Sequence, residues 1–266
     1  MNPKWIVVVL GVVLVYGIAK KITRPAPLSG TTVSVSGQQL PIPQANPPAA
    51  APMQLPSAAW PPVTDGGSAV NAANYYVVLD GSGSMARREC AGQSSRKVDV
   101  ALDAVKAFVK EIPGDANVGL AVFDSRDLSE RVAIGADNRE AISQALGRVR
   151  VGEGTPLRSA IHLAYDRLTK QASKQLGYGE YHLVVVTDGQ PDPRSEDPTD
   201  EVNEILAQSP VILHTVGFCI GSDHVLNQPG RAYYVAATNP EELQSGLKSV
   251  LAEAPTFDAA TFAVTK

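Results

Sequence analysis

YYVVLDGSGSM, residues 75–85, joins five apolar or aromatic positions to a loop in which Asp80, Ser82 and Ser84 alternate with glycine. A run this apolar, rich in β-branched and aromatic residues, reads as a strand buried on both faces. Oxygen-bearing side chains at alternating positions directly after it are hard donors, suited to a hard divalent cation. Two other segments supply what such a site would still need. GEGTPLRSAI (152–161) offers Thr155 at the mouth of a helix, and HLVVVTDG (182–189) offers Asp188 at the end of a second apolar strand.

Working outward, strands alternate with helices. KVDVALDAVKAFVKEI (97–112) repeats apolar residues at helical spacing, among them Val98, Ala101, Leu102, Val105, Phe108 and Val109. NVGLAVFD (117–124) is a strand, and RVAIG (131–135) a short edge strand after the turn-like SRDLSE. A helix is expected over 138–149. Another is capped by Thr155, with Pro156 at its first position, and ends near Lys170. YHLVVVTD (181–188), a helix near 199–208, VILHTVGF (211–218), AYYVAA (232–237) and a final helix near 240–252 complete the series. No internal repeat is present. The pattern predicts an α/β domain with a doubly wound, mostly parallel sheet flanked by helices. Ligands of such sheets bind at the carboxyl ends of strands, where the strand order reverses. One rim can therefore gather Asp80, Ser82, Ser84, Thr155 and Asp188, with Gly81 and Gly83 letting the first loop turn tightly.

These three blocks resemble the metal-ion-dependent adhesion site of a von Willebrand factor type A domain, and the resemblance spans roughly 74–252. It implies a Rossmann-like fold and metal ligation by Asp80, Ser82, Ser84, Thr155 and Asp188, the last through water. The cation expected is Mg2+, with Mn2+ or Ca2+ as alternatives. Two carboxylates only neutralise a divalent ion, which stays electrophilic toward one more anionic oxygen. The resemblance implies that a partner protein supplies it from an acidic side chain. Asp192 reads as a surface residue. Arg87, Arg88 and Arg96 form a basic patch in the loop after the motif, and a solvated loop is their expected role.

Charge divides the 266-residue chain. Lys4, Lys20, Lys21 and Arg24 are the only charged side chains before Asp65, so the formal −4 less these four positive charges leaves −8 for the remainder. An acidic head does not suit a phosphate backbone, which excludes nucleic acid as a partner. From Trp5 to Ala19 the chain is apolar apart from Tyr16 and two glycines. Extended through Ile22, with the lysines snorkelling, it reaches the roughly 17–20 residues of a transmembrane helix. Half of the 20 prolines, and no charge, fall between Pro25 and Thr64. Such a stretch buries too little apolar surface to fold and favours an extended spacer. The expected organisation is an anchor with a basic flank at 1–24, a Pro-rich linker at 25–73, the α/β domain at 74–253 and a tail at 254–266. The basic cluster after the anchor favours keeping that side inside. A proline-rich spacer with a folded head is more usual outside. The expectation is a single-pass protein of the cytoplasmic (inner) membrane with a periplasmic or extracytoplasmic head.

Cys90 and Cys219 should lie on the same rim, where they form a disulfide in an oxidising compartment or remain two free thiols. The four histidines assemble no zinc motif. Three functions remain. The leading one is a tethered, cation-dependent protein-binding module, not an enzyme. A second is an accessory subunit of a MoxR- or chelatase-like AAA ATPase, with the nucleotide chemistry in the partner because this chain has no phosphate-binding loop. The third, a metal-dependent phosphohydrolase, would need Asp80 as nucleophile or Asp188 as base, and Ser82 stands where related phosphotransferases carry a second aspartate.

Overall fold

Apolar runs that alternate with amphipathic segments fold here into one sheet sandwiched between helices. The structure, a computed structural model, describes residues 71–252 apart from Gln93 and Glu153. The strands are β1 (Ala73–Asp80), β2 (Asn117–Phe123), β3 (Leu128–Gly135), β4 (Glu180–Thr187), β5 (Val211–Phe218) and β6 (Tyr233–Ala237). The helices are α1 (Lys97–Glu111), α2 (Arg139–Leu146), α3 (Leu157–Lys174), α4 (Thr199–Gln208) and α5 (Pro240–Ala252). The sheet order is β3-β2-β1-β4-β5-β6, and every pairing is parallel except β2 with β3. The winding direction reverses between β1 and β4, so their carboxyl ends form the crevice where ligands of this architecture bind.

Period-2 alternation along β1 feeds two cores. Tyr75, Val77 and Leu79 pack with α1 (Val98, Val105, Phe108), α2 (Ile142) and α5 (Leu243, Leu247) on one face. Tyr76 and Val78 pack with α3 (Leu157, Ile161, Leu168) and α4 (Val202, Ile205) on the other. Because both faces are covered, β1, β2 and β4 carry no alternation of polar residues toward solvent.

The predicted doubly wound sheet is present, and three local expectations are corrected. The edge strand begins at Leu128, three residues earlier than expected, because Asp124 fixes the preceding turn and lets Leu128 pair with Phe123. Thr155 does not cap α3: the helix opens at Leu157 with Pro156 at the cap position, and Thr155 instead pairs its backbone with Asp192. Neither Gly81 nor Gly83 takes a positive φ. Gly81 is needed for close approach, since a Cβ there would stand 2.8 Å from the Phe123 carbonyl oxygen. The expected anchor, nearly all of the linker and the tail lie outside the described residues. Among the described residues no helix is long and apolar enough to cross a membrane.

Candidate metal centre

Three loops lie beside one another at the carboxyl edge of the sheet: 81–96 after β1, 147–156 between α2 and α3, and 188–198 after β4. Backbone bonds stitch them together. Gly152 N–H donates to the Gly81 carbonyl at 2.8 Å, and Thr155 and Asp192 exchange backbone bonds of 2.8 and 3.1 Å. A Cβ on Gly152 would fall on the Ser125 backbone, so only glycine lets the middle loop lie this close.

Asp80 ends β1 and is fully buried. Its Oδ1 accepts the Ser82 N–H at 2.7 Å and its Oδ2 accepts the Thr187 hydroxyl at 2.6 Å. Burial, and then the nearby Asp188 charge, push the Asp80 carboxyl up to about 6, against hydrogen bonds from Ser82 and Thr187 that pull it down. Ser84 Oγ donates to Asp188 Oδ1 at 2.6 Å, and the Ser82 and Ser84 hydroxyls are 2.9 Å apart. A hydroxyl has one hydrogen, so with that of Ser84 committed to Asp188, Ser82 must donate to Ser84. The result is a relay from Ser82 through Ser84 to Asp188. Ser82, Ser84 and Thr155 then line one polar cleft of about 340 Å³, together with Gly83, Arg87, Gly154 and Asp192. The structure thus brings the five expected side chains to one rim, with three hydroxyls at the cleft and two carboxylates behind them.

Residues not expected at the site complete it. Lys97, the first residue of α1, sends its ammonium to Asp188 Oδ2 at 2.8 Å, and the pair is buried, with side-chain exposures of 6% and 0%. Thr187 fixes Asp80 from the neighbouring strand. Arg87, expected in a solvated loop, is exposed and lines the cleft, as does Asp192 from another loop. Asp124, directly after β2, is a third carboxylate near this rim but is already engaged. Burial works against its ionisation, yet bonds from Arg126 and the Arg150 N–H, with the Arg131 charge, hold it below the ordinary carboxylate range.

Cys90 and Cys219 are joined in a disulfide, which resolves the pairing the sequence left open and removes Cys219 from any zinc site. The bridge ties the loop after Ser84 to the end of β5. From that end, His224 Nε2–H donates to the Gly189 carbonyl at 2.9 Å while its Nδ1 accepts the Leu226 N–H at 3.2 Å. These partners fix the neutral tautomer, and burial pulls the imidazole below its usual value. His182 and His214 are buried on β4 and β5, in a stack running from Tyr75 to Tyr233. His162 is exposed on α3 and pairs with Glu201. Among the described residues no three His, Cys, Asp or Glu side chains converge on a point that could hold a metal ion.

The donor set at the cleft is all oxygen: three hydroxyls, one of them Thr155 with no capping duty, and two carboxylates. That chemistry fits a hard divalent cation such as Mg2+, Mn2+ or Ca2+ and not a soft one. The Lys97 ammonium on Asp188 works against it, as does the Arg87 charge on the cleft wall.

Comparison with known proteins bears on the fold that carries this cleft. Residues 75–190 match the family model of the von Willebrand factor type A domain. The uncharacterized protein YwmD of Bacillus subtilis (strain 168) is 27% identical over 191 residues, covering 64% of this chain and 81% of YwmD. A von Willebrand factor type A structure from Catenulispora acidiphila superposes with a TM-score of 0.53 at 15% identity, over 68% of this chain and 42% of that one. The manganese-loaded TRAP protein of Plasmodium vivax superposes with a TM-score of 0.50 at 14% identity, over 68% of this chain and 73% of that one. At such identities the likeness of the structures is one of fold. Sheet order and family match agree on the fold: residues 75–190 match the von Willebrand factor type A model, and the described residues share the fold of that domain's solved structures.

Proposed function

We propose that this domain is a tethered protein-binding module in which Asp80, Ser82, Ser84, Thr155 and Asp188 hold a divalent cation, Mg2+ or else Mn2+ or Ca2+. Bound there, the ion supplies electrostatic attraction for one more anionic oxygen, and a partner protein donates it from an aspartate or glutamate. The observation that carries this reading is the convergence of three hydroxyls on one polar cleft with two buried carboxylates directly behind them. The fold shared with a manganese-loaded protein supports the choice of ion, and domains of this family often mediate protein–protein contacts and adhesion. A binding role rather than catalysis is supported by Asp80, which is fully buried with a hydrogen bond accepted on each oxygen, a setting that does not suit a nucleophile but leaves each oxygen a lone pair for a cation. The apolar segment near the start and the uncharged Pro-rich stretch support a head carried on a spacer from the cytoplasmic membrane. The Cys90–Cys219 bridge supports an extracytoplasmic setting for that head.

Titration calorimetry with Mn2+ tests the ligand set. Ser82→Ala combined with Ser84→Ala leaves both buried carboxylates in place, and is expected to abolish binding while the circular dichroism spectrum stays unchanged. Unaltered affinity in that folded variant would defeat the assignment.

A further inference from the structure

We propose that Lys97 is a built-in counter-charge of the metal centre, one that weakens the cation's own affinity and makes tight binding depend on an acidic partner. The inference rests on the cation reading above and deepens it. Its basis is a geometry that no strand-end motif specifies. Lys97 is 5% exposed, and its ammonium reaches Asp188 Oδ2 while Ser84 holds Oδ1 of the same carboxylate. Two independent contacts fix the lysine's position. Its own N–H bonds the Arg87 carbonyl at 2.8 Å, and the side chains of Arg96 and Asp99 lock the start of α1 around it. A lysine held this way is part of the site, since a buried ammonium is tolerated only when paired.

The charge count follows directly. Asp80 and Asp188 contribute two negative charges and Lys97 one positive. A divalent ion on the Ser84 side of Asp188 would share that carboxylate with the ammonium and leave the cradle with one positive charge in excess. Like charges sharing a buried carboxylate repel strongly where water does not screen them. The ion alone is therefore held loosely. A carboxylate arriving through the cleft meets that excess charge at the cradle, while on the cleft wall the exposed Arg87 and Asp192 offset one another. By linkage, whatever the ion adds to the partner's affinity, the partner adds to the ion's. Lys97 thereby makes the centre a coincidence detector for a cation and an acid. In chelator the same ammonium keeps Asp188 paired and the relay from Ser82 intact.

Lys97→Met tests this in the full chain or the intact domain, with Mn2+ affinity read from the free-ion electron paramagnetic resonance signal and stability from thermal melting in EDTA. The variant is expected to bind Mn2+ on the order of ten- to hundredfold tighter and, in EDTA, to melt at a lower temperature than the native protein. Excess acetate, standing in for the partner's carboxylate, is expected to tighten Mn2+ binding more in the native protein than in the variant. If Lys97→Met does not fold, Lys97→Gln removes the charge while keeping a donor for Asp188, with the same expectation. Equal or weaker Mn2+ binding by the folded variant overturns the role of Lys97 and leaves the cation reading standing. No Mn2+ binding by either protein overturns both.

Discussion

Severing the bridge between Cys90 and Cys219 perturbs the rim without touching a candidate ligand. The two cysteines are 129 residues apart, so the bridge closes most of the domain into one loop. Chain-entropy reasoning assigns such a loop about 5 kcal/mol, near the top of the range measured for disulfides. Part of that is offset in the folded state, because Cys90 and Cys219 both take left-handed backbone conformations, with φ of 61° and 66°, that side chains disfavour. We expect Cys90→Ser with Cys219→Ser to cost about 2–4 kcal/mol, or a melting shift of about 5–15 °C for a domain of this size. Urea denaturation of the native and doubly substituted proteins measures it. Thiol labelling of the urea-unfolded native protein without reductant shows independently that the bridge is present. A midpoint change worth less than about 0.5 kcal/mol, or two titratable thiols in the native protein, would refute the reasoning.

Other expectations concern titration and close packing. Burial, and then His182, push His214 down to about 3, and burial also lowers His182. Between about pH 6.5 and 3 the unfolded chain therefore binds more protons than the folded one, and these groups contribute stability that is complete above 6.5 and declines as pH falls. Asp80, raised to about 6, acts in the opposite sense between its unfolded value and 6. His214→Gln should flatten the fall in stability by up to about 1.4 kcal/mol per pH unit in acid denaturation series, and slopes that match the native ones would contradict the stated cause. Gly152→Ala should cost about 1–3 kcal/mol and weaken Mn2+ binding together, because displacing 150–155 also displaces Thr155; a variant as stable and as tight-binding as the native protein would contradict that coupling.

What was legible in the sequence depended on periodicity and adjacency. Runs such as Val77–Leu79 and Leu183–Val186 need no partner to be recognised as strands with both faces covered, and the loop after Asp80 carries its oxygens within five residues. The rest depended on contacts distant along the chain. Lys97 lies 91 residues from Asp188 and resembles an ordinary solvated helix start. A signal was present, since Lys97, Ala101, Val105 and Phe108 share the helical stripe that α1 buries. A charge on that stripe needs a partner. Thr155 reads locally as a cap because a threonine before Pro-Leu satisfies the local rule, while the competing backbone pairing with Asp192 comes from a loop 37 residues on. The histidine stack depends on cross-strand register: His182 lies opposite Tyr75, and His214 opposite Tyr233. No local pattern gives that register.

Anomalous scattering from crystals soaked in Mn2+ and an excess of acetate is the most direct measurement. The expected map has a single strong peak bounded by the hydroxyls of Ser82, Ser84 and Thr155, with acetate oxygen completing its shell. A well-ordered cleft that shows only water between those three side chains, with the Lys97–Asp188 pair intact, would contradict the existence of a cation centre in this domain.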